Sequence, residues 1–105
     1  MYKSKHVLEK DIERKLVKGV KALGGIAYKW VSPGNDGVPD RVVILPGARV
    51  YFVELKTETG KLSPVQERQH ERLRGCGFSP ITLHGVSEVG AFLEKCTSMV
   101  EGGQE

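Results

Sequence analysis

Cysteine is scarce in this chain: Cys76 and Cys96 are the only two in 105 residues. A secreted domain of this size usually carries more, in pairs, so no disulfide framework is expected. Both read as reduced thiols acting as small buried hydrophobes in a cytoplasmic protein. Histidine is equally sparse. His6, His70 and His84 stand without C-x-x-C or H-x-x-x-H spacing, which argues against a zinc site. No apolar run approaches the ~20 residues of a membrane span. The opening Met1-Tyr2-Lys3-Ser4-Lys5-His6 lacks the apolar core of a signal peptide. Nucleotide-binding loops and nucleophile motifs are missing too, which leaves a small metabolic enzyme without support. There is no internal repeat and no low-complexity segment.

What remains is one domain over residues 1–105, with its core over about 7–96 and a frayed tail over 97–105. A hydrophobic content of 39% suffices for one core, and the length leaves no room for a separate cofactor domain. The formal net charge of +3 and pI near 9.0 bias the surface mildly towards polyanions.

Residues 6–23 read as a helix, with Leu8, Ile12, Leu16, Val20 and Leu23 forming one apolar stripe that Gly24-Gly25 stops. Residues 26–31 read as a strand, followed by a loop of breakers over 32–37. Arg41 to Leu45 and Val50 to Lys56 read as a hairpin turned at Pro46-Gly47. Ser63, Pro64 and Gln66 mark a helix start, and that helix ends near Gly75. Phe78 to Leu83 reads as a fourth strand. Val86 to about Cys96 reads as a last helix with Val86, Val89, Phe92 and Leu93 inward. The order α-β-β-β-α-β-α implies an α/β fold, a mixed sheet with helices on its faces.

Pro39-Asp40 and Glu54-Leu55-Lys56 carry the chemistry. Two carboxylates can hold Mg²⁺ or Mn²⁺, and a neighbouring lysine can orient a water or offset phosphate charge; a metal-dependent phosphodiester hydrolase needs those parts. Strand alternation puts Glu54 and Lys56 on one face. Asp40 joins them if Leu45 pairs with Arg49 around a three-residue loop, or if the chain bends at Pro39; pairing Leu45 with Val50 turns Asp40 away. Opposed carboxylates repel unless a cation lies between them. The Leu55 carbonyl is a further candidate ligand. The alternatives are a turn residue at Asp40 and an exposed cross-strand charge pair at Glu54 and Lys56. Against these, the strand ending at Glu54 is otherwise largely apolar, where a charged pair without a purpose is costly.

Gly37-Val38-Pro39-Asp40-Arg41, Phe52-Val53-Glu54-Leu55-Lys56 and Leu62-Ser63-Pro64-Val65-Gln66 resemble the virus-type replication-repair nuclease (VRR-NUC) family of the PD-(D/E)XK superfamily. The resemblance covers roughly Leu8 to Leu93. It implies a restriction-endonuclease-like core, a stand-alone phage-type nuclease similar to Holliday-junction resolvases, and a homodimer. It also implies an acid from the first helix. Glu9 falls inside the apolar arc of about 80° and is the first candidate, with Glu13 about 20° beyond its edge the second. It brings Gln66 into the active site, although the spacing from Ser63 also fits a capping box.

The resulting expectation is a Mg²⁺- or Mn²⁺-dependent endonuclease for branched DNA. Asp40, Glu54, Leu55 and Glu9 would hold metal, Lys56 and Gln66 would act beside them, and Lys29, Arg41, Lys61 and Arg68 would contact phosphates. Tyr28 and Trp30 read as core residues that could instead meet a base or branch point. The competing reading is a non-catalytic nucleic-acid-binding or assembly module, for which grouped acids are unfavourable.

Overall fold

The computed structural model describes residues 5–102, with side-chain surroundings from Glu9 onward. Seven elements follow the expected order: α1 (Lys5–Ala22), β1 (Ile26–Lys29), β2 (Arg41–Leu45), β3 (Arg49–Lys56), α2 (Pro64–Gly75), β4 (Ile81–His84) and α3 (Gly85–Gly102). The four strands form one sheet in the order β1-β2-β3-β4. The first three are antiparallel, and β4 returns parallel to β3 through α2. A helical crossover is what a parallel neighbour requires.

Strand alternation sorts the sheet into two faces. Val43, Leu45 and Val53 point towards α1 and α3, where they form the core with Ile12, Leu16, Val20, Val89, Phe92 and Cys96. Tyr51 reaches the same layer, edge-on to Phe92 with ring centroids 5.6 Å apart. Lys15 ties the helices together by donating to the Val86 carbonyl over 3.0 Å. The opposite face carries Val42, Ile44, Val50, Phe52, Glu54 and Lys56. Here Phe52 packs between Trp30 and Phe78, with centroid distances of 5.3 and 5.1 Å. Towards the hairpin end this face is open: Ile26, Tyr28, Ile44 and Val50 are all exposed. Tyr28 is therefore on the surface and not in the core, because the buried member of β1 is Ala27.

Two boundaries differ most from the sequence reading, and the first is the strand expected from Phe78 to Leu83, which runs Ile81–His84. The tail expected over 97–105 continues α3 as far as Gly102, because Met99 and Val100 pack against the core. Residues 103–105 lie outside the described part, as does the side chain of Leu8. Of the cysteines, Cys96 is fully buried, whereas Cys76 is exposed at the end of α2.

The β2–β3 hairpin is closed by a three-residue loop of Pro46, Gly47 and Ala48, so that Leu45 pairs with Arg49 and Arg41 with Val53. Gly47 has φ 85° and Ala48 φ 61°, both left-handed.

Candidate active site

Extending that register by one residue sets Asp40 opposite Glu54, the arrangement required for both carboxylates to share a face. The chain also bends at Asp40, and its backbone is pinned there. Trp30 N–H donates to the Asp40 carbonyl over 2.9 Å, and Leu55 N–H donates to Asp40 Oδ2 over 2.8 Å. The residue before it, Pro39, is fully buried.

Glu54 is only 2% exposed, although it is a carboxylate on an apolar strand. Lys56 Nζ lies 3.8 Å from Glu54 Oε2, and Gln66 Nε2 donates to the same oxygen over 2.9 Å. The other oxygen, Oε1, is buried with no hydrogen-bond partner. Burial pushes the Glu54 carboxyl up to about 8, and the Asp40 charge adds to the rise while Lys56 opposes it. An acid in this position has two ways to relieve the cost: hold a proton, or face a cation. The donor set is all oxygen, which suits a hard divalent ion. The residues thus fit such a metal, with Asp40, Glu54 and the Leu55 carbonyl at the centre.

Gln66 performs two tasks at once. Ser63 N–H donates to Gln66 Oε1 over 2.9 Å, and Gln66 N–H donates to Ser63 Oγ over 3.2 Å, which closes a capping box at the start of α2. Its side-chain nitrogen remains to hold Glu54. Capping uses the amide oxygen and the site uses the amide nitrogen, so the two readings of this residue are compatible. The helix is brought close by Gly37, whose φ is 91°; a Cβ there would stand 2.7 Å from the Val65 carbonyl oxygen.

These groups lie in a cleft of about 630 Å³ whose walls include Glu9, Lys29, Lys61 and Gln66. Glu9 is on this wall, but among the described residues no three His, Cys, Asp or Glu side chains come close enough to hold a metal between them. Glu9 therefore does not complete a three-carboxylate site with Asp40 and Glu54. Glu13 is engaged elsewhere, accepting from Arg41 Nη2.

That bond corrects the role expected of Arg41. Its other terminal nitrogen, Nη1, donates to the Ala27 carbonyl over 2.9 Å, and its side chain is only 14% exposed. Arg41 ties α1 to the sheet and does not present an open guanidinium to DNA. Arg68 lies off the cleft, beside a separate hollow on the flank of α2 with Glu67 and Glu71. Two residues of this region escaped the sequence reading. Lys10 lines the cleft; it stands about 100° from Glu9 on the helix, so its neighbour in sequence did not mark it. His70 is 1% exposed with both ring nitrogens unpartnered. Desolvation first, then the charges of Arg74 and Lys56, hold its imidazole below the usual value. Its spacing four residues after Gln66, on the same helix face, was the clue.

A solved structure described as a VRR-NUC domain superposes with a TM-score of 0.77 at 34% identity, covering 82% of this chain and 94% of that one. The chain belongs to the VRR-NUC family. A curated protein of Acyrthosiphon pisum secondary endosymbiont phage 1, called "Putative nuclease p44", is 49% identical over 77 residues, which cover 73% of this chain and 83% of the relative. A second solved VRR-NUC domain protein, 16% identical with a TM-score of 0.66 over 84% of this chain and 86% of its own, shares the fold. No protein-family model matches the chain. Among the described residues, no helix of this VRR-NUC domain is long and apolar enough to cross a membrane.

Proposed function

We propose that this VRR-NUC domain is a divalent-metal-dependent DNA endonuclease. One observation carries the reading: a buried Glu54, with one oxygen unpartnered, faces Asp40 in a cleft rimmed by lysines. Such a pair is unfavourable for a passive phosphate binder and useful with a cation. Asp40, Glu54 and the Leu55 carbonyl would hold Mg²⁺ or Mn²⁺, with Glu9 on the wall of the same cleft. When bound, the metal lowers the pKa of a water and offsets charge on the phosphate. The chain supplies the rest. Lys56 orients the attacking water or meets a phosphate oxygen, and Gln66 holds one oxygen of Glu54 and leaves the other without a hydrogen-bond partner for the metal. Lys29 and Lys61 draw the backbone in.

No aromatic side chain lines the cleft among the described residues. Contacts to phosphates and shape therefore outweigh base reading, in keeping with a preference for branched DNA. A homodimer acting in the host cytoplasm would present two sites to such a branch, and the exposed row of Ile26, Tyr28, Ile44 and Val50 gives each copy an apolar surface to bury. Sedimentation showing only monomer at micromolar concentration would contradict the dimer.

The test is nicking of duplex, flap, splayed and four-way DNA in Mg²⁺, Mn²⁺ and EDTA. Cleavage is expected with either metal, highest on the branched substrates, and absent in EDTA or in Glu54→Ala. Activity that survives chelation or Glu54→Ala overturns the metal-dependent reading.

A further inference from the structure

The positive charge of the chain is unevenly placed. Helix α1 carries six Lys or Arg against three acids, whereas α3 carries three Glu against one Lys. Within α1, Lys10, Arg14, Lys18 and Lys21 are all exposed, and they fall within about 80° of arc on the helical wheel. The surplus is therefore a stripe along one line of the helix.

The stripe leads out of the candidate active site. A second groove of about 520 Å³ is walled by Lys10, Glu13, Arg14, Val17, Lys18 and Arg41. It shares Lys10 and Glu13 with the cleft that holds Asp40 and Glu54. The acids along it do little to cancel the charge. Glu13 is engaged by Arg41. Asp11 approaches Arg14 at 3.5 Å, but the Arg14 side chain is 61% exposed, and surface pairs of this kind hold their partners weakly. The flank of α2 differs: Arg68, Arg72 and Arg74 are interleaved with Glu67 and Glu71, and Arg74 pairs with Glu71 at 3.4 Å.

The dimensions suit a nucleic-acid backbone. From Lys10 to Lys21 a helix rises about 16 Å. At 3.4 Å per nucleotide along one strand, that spans about five phosphates.

We propose that duplex DNA leaving the cleft runs along the outer face of α1, with Lys10, Arg14, Lys18 and Lys21 meeting phosphates of one strand. This assigns a substrate path and rests on the nuclease reading for the identity of the substrate. The path approaches from the α1 side and passes neither α2 nor α3.

Binding of a fluorescent 30-base-pair duplex is measured by anisotropy in EDTA over a salt series. Two triple variants are compared: Arg14→Gln/Lys18→Gln/Lys21→Gln on α1 and Arg68→Gln/Arg72→Gln/Arg74→Gln on α2. Glutamine is a good helix former and these positions are exposed, so folding is expected to hold, with thermal melting as the check. Each lost phosphate contact lowers the slope of log K against log salt by about 0.9, so the α1 variant should lose about 2.7. The α2 variant should lose less than about 0.9. With metal present, the α1 variant should raise KM for the long duplex and leave kcat unchanged. Equal losses from both variants, or an unchanged slope for the α1 variant, overturn the path. A wild type that binds with the expected slope but cuts nothing in Mg²⁺ or Mn²⁺ overturns the nuclease reading and leaves the path standing.

Discussion

Glu54 should make the stability of the metal-free protein depend on pH in a particular direction. Its carboxyl lies at about 8 when folded and at the ordinary 4.5 when unfolded. Between those values the unfolded chain gives up the proton while the folded chain keeps it. Stability is therefore full below about pH 4.5 and is lost as pH rises through about 8. A rise of about three and a half units, at 1.36 kcal/mol each, corresponds to roughly 5 kcal/mol. Water in the cleft offsets part of that cost, which leaves about 2–3 kcal/mol, or about 10–20 °C in Tm for a domain of this size. The assay is thermal unfolding from pH 5 to 8.5 in EDTA for the wild type and Glu54→Gln. Taking the difference between the two cancels the titrating groups remote from Glu54. Glu54→Gln should gain on the wild type steadily as pH rises. Millimolar Mg²⁺ or Mn²⁺ at pH 8 should raise the Tm of the wild type and leave Glu54→Gln where it was. Two parallel pH curves would refute the argument, because they would mean that Glu54 ionises as freely in the folded protein as in the unfolded chain.

Lys56→Met removes the cation beside Glu54 and should lower kcat by about 10²–10³, the range found for loss of one aimed electrostatic group, with Tm little changed; single-turnover nicking checks this. Gln66→Glu keeps the oxygen that accepts from Ser63 but loses the nitrogen that holds Glu54, so cleavage should collapse while α2 keeps its cap; Gln66→Ala should lose activity and about 1 kcal/mol besides, read from chemical denaturation. Gly37→Ala should lower both stability and activity, since the added Cβ meets Val65 backbone at 2.7 Å and forces α2 away from Glu54. Leu16→Ala should cost about 2–5 kcal/mol in urea unfolding, because the fully buried leucine leaves a cavity between α1 and the sheet.

The parts of this fold written in local pattern were legible in the sequence. The stripe of α1, the alternation of β3 and the Ser63-Pro64-Val65-Gln66 start of α2 all act over a few residues. The pairing of Asp40 with Glu54 was legible only as a choice between registers, since it depends on how the loop at Pro46 closes. Long-range contacts escaped. Nothing near Arg41 signals that its guanidinium meets Glu13, because that contact exists only once α1 lies across the sheet. The end of α3 escaped for a related reason: Thr97 and Ser98 are weak helix formers, and the packing of Met99 and Val100 overrides them. Tyr28 read as core because aromatic residues favour burial, whereas the single inward place on β1 goes to Ala27.

Surface hairpin loops are ordinarily where a chain tolerates insertion and deletion. The loop of Pro46, Gly47 and Ala48 should be an exception. Five residues of β2, about 16 Å of strand, separate it from Asp40. Losing or gaining one loop residue would leave a hairpin with its hydrogen bonds largely restored, yet every side chain of β2 would change sides. Asp40 would then turn from Glu54 towards the helices. The spacing of the two acids is thus counted out at the far end of the hairpin, by a loop that touches neither of them.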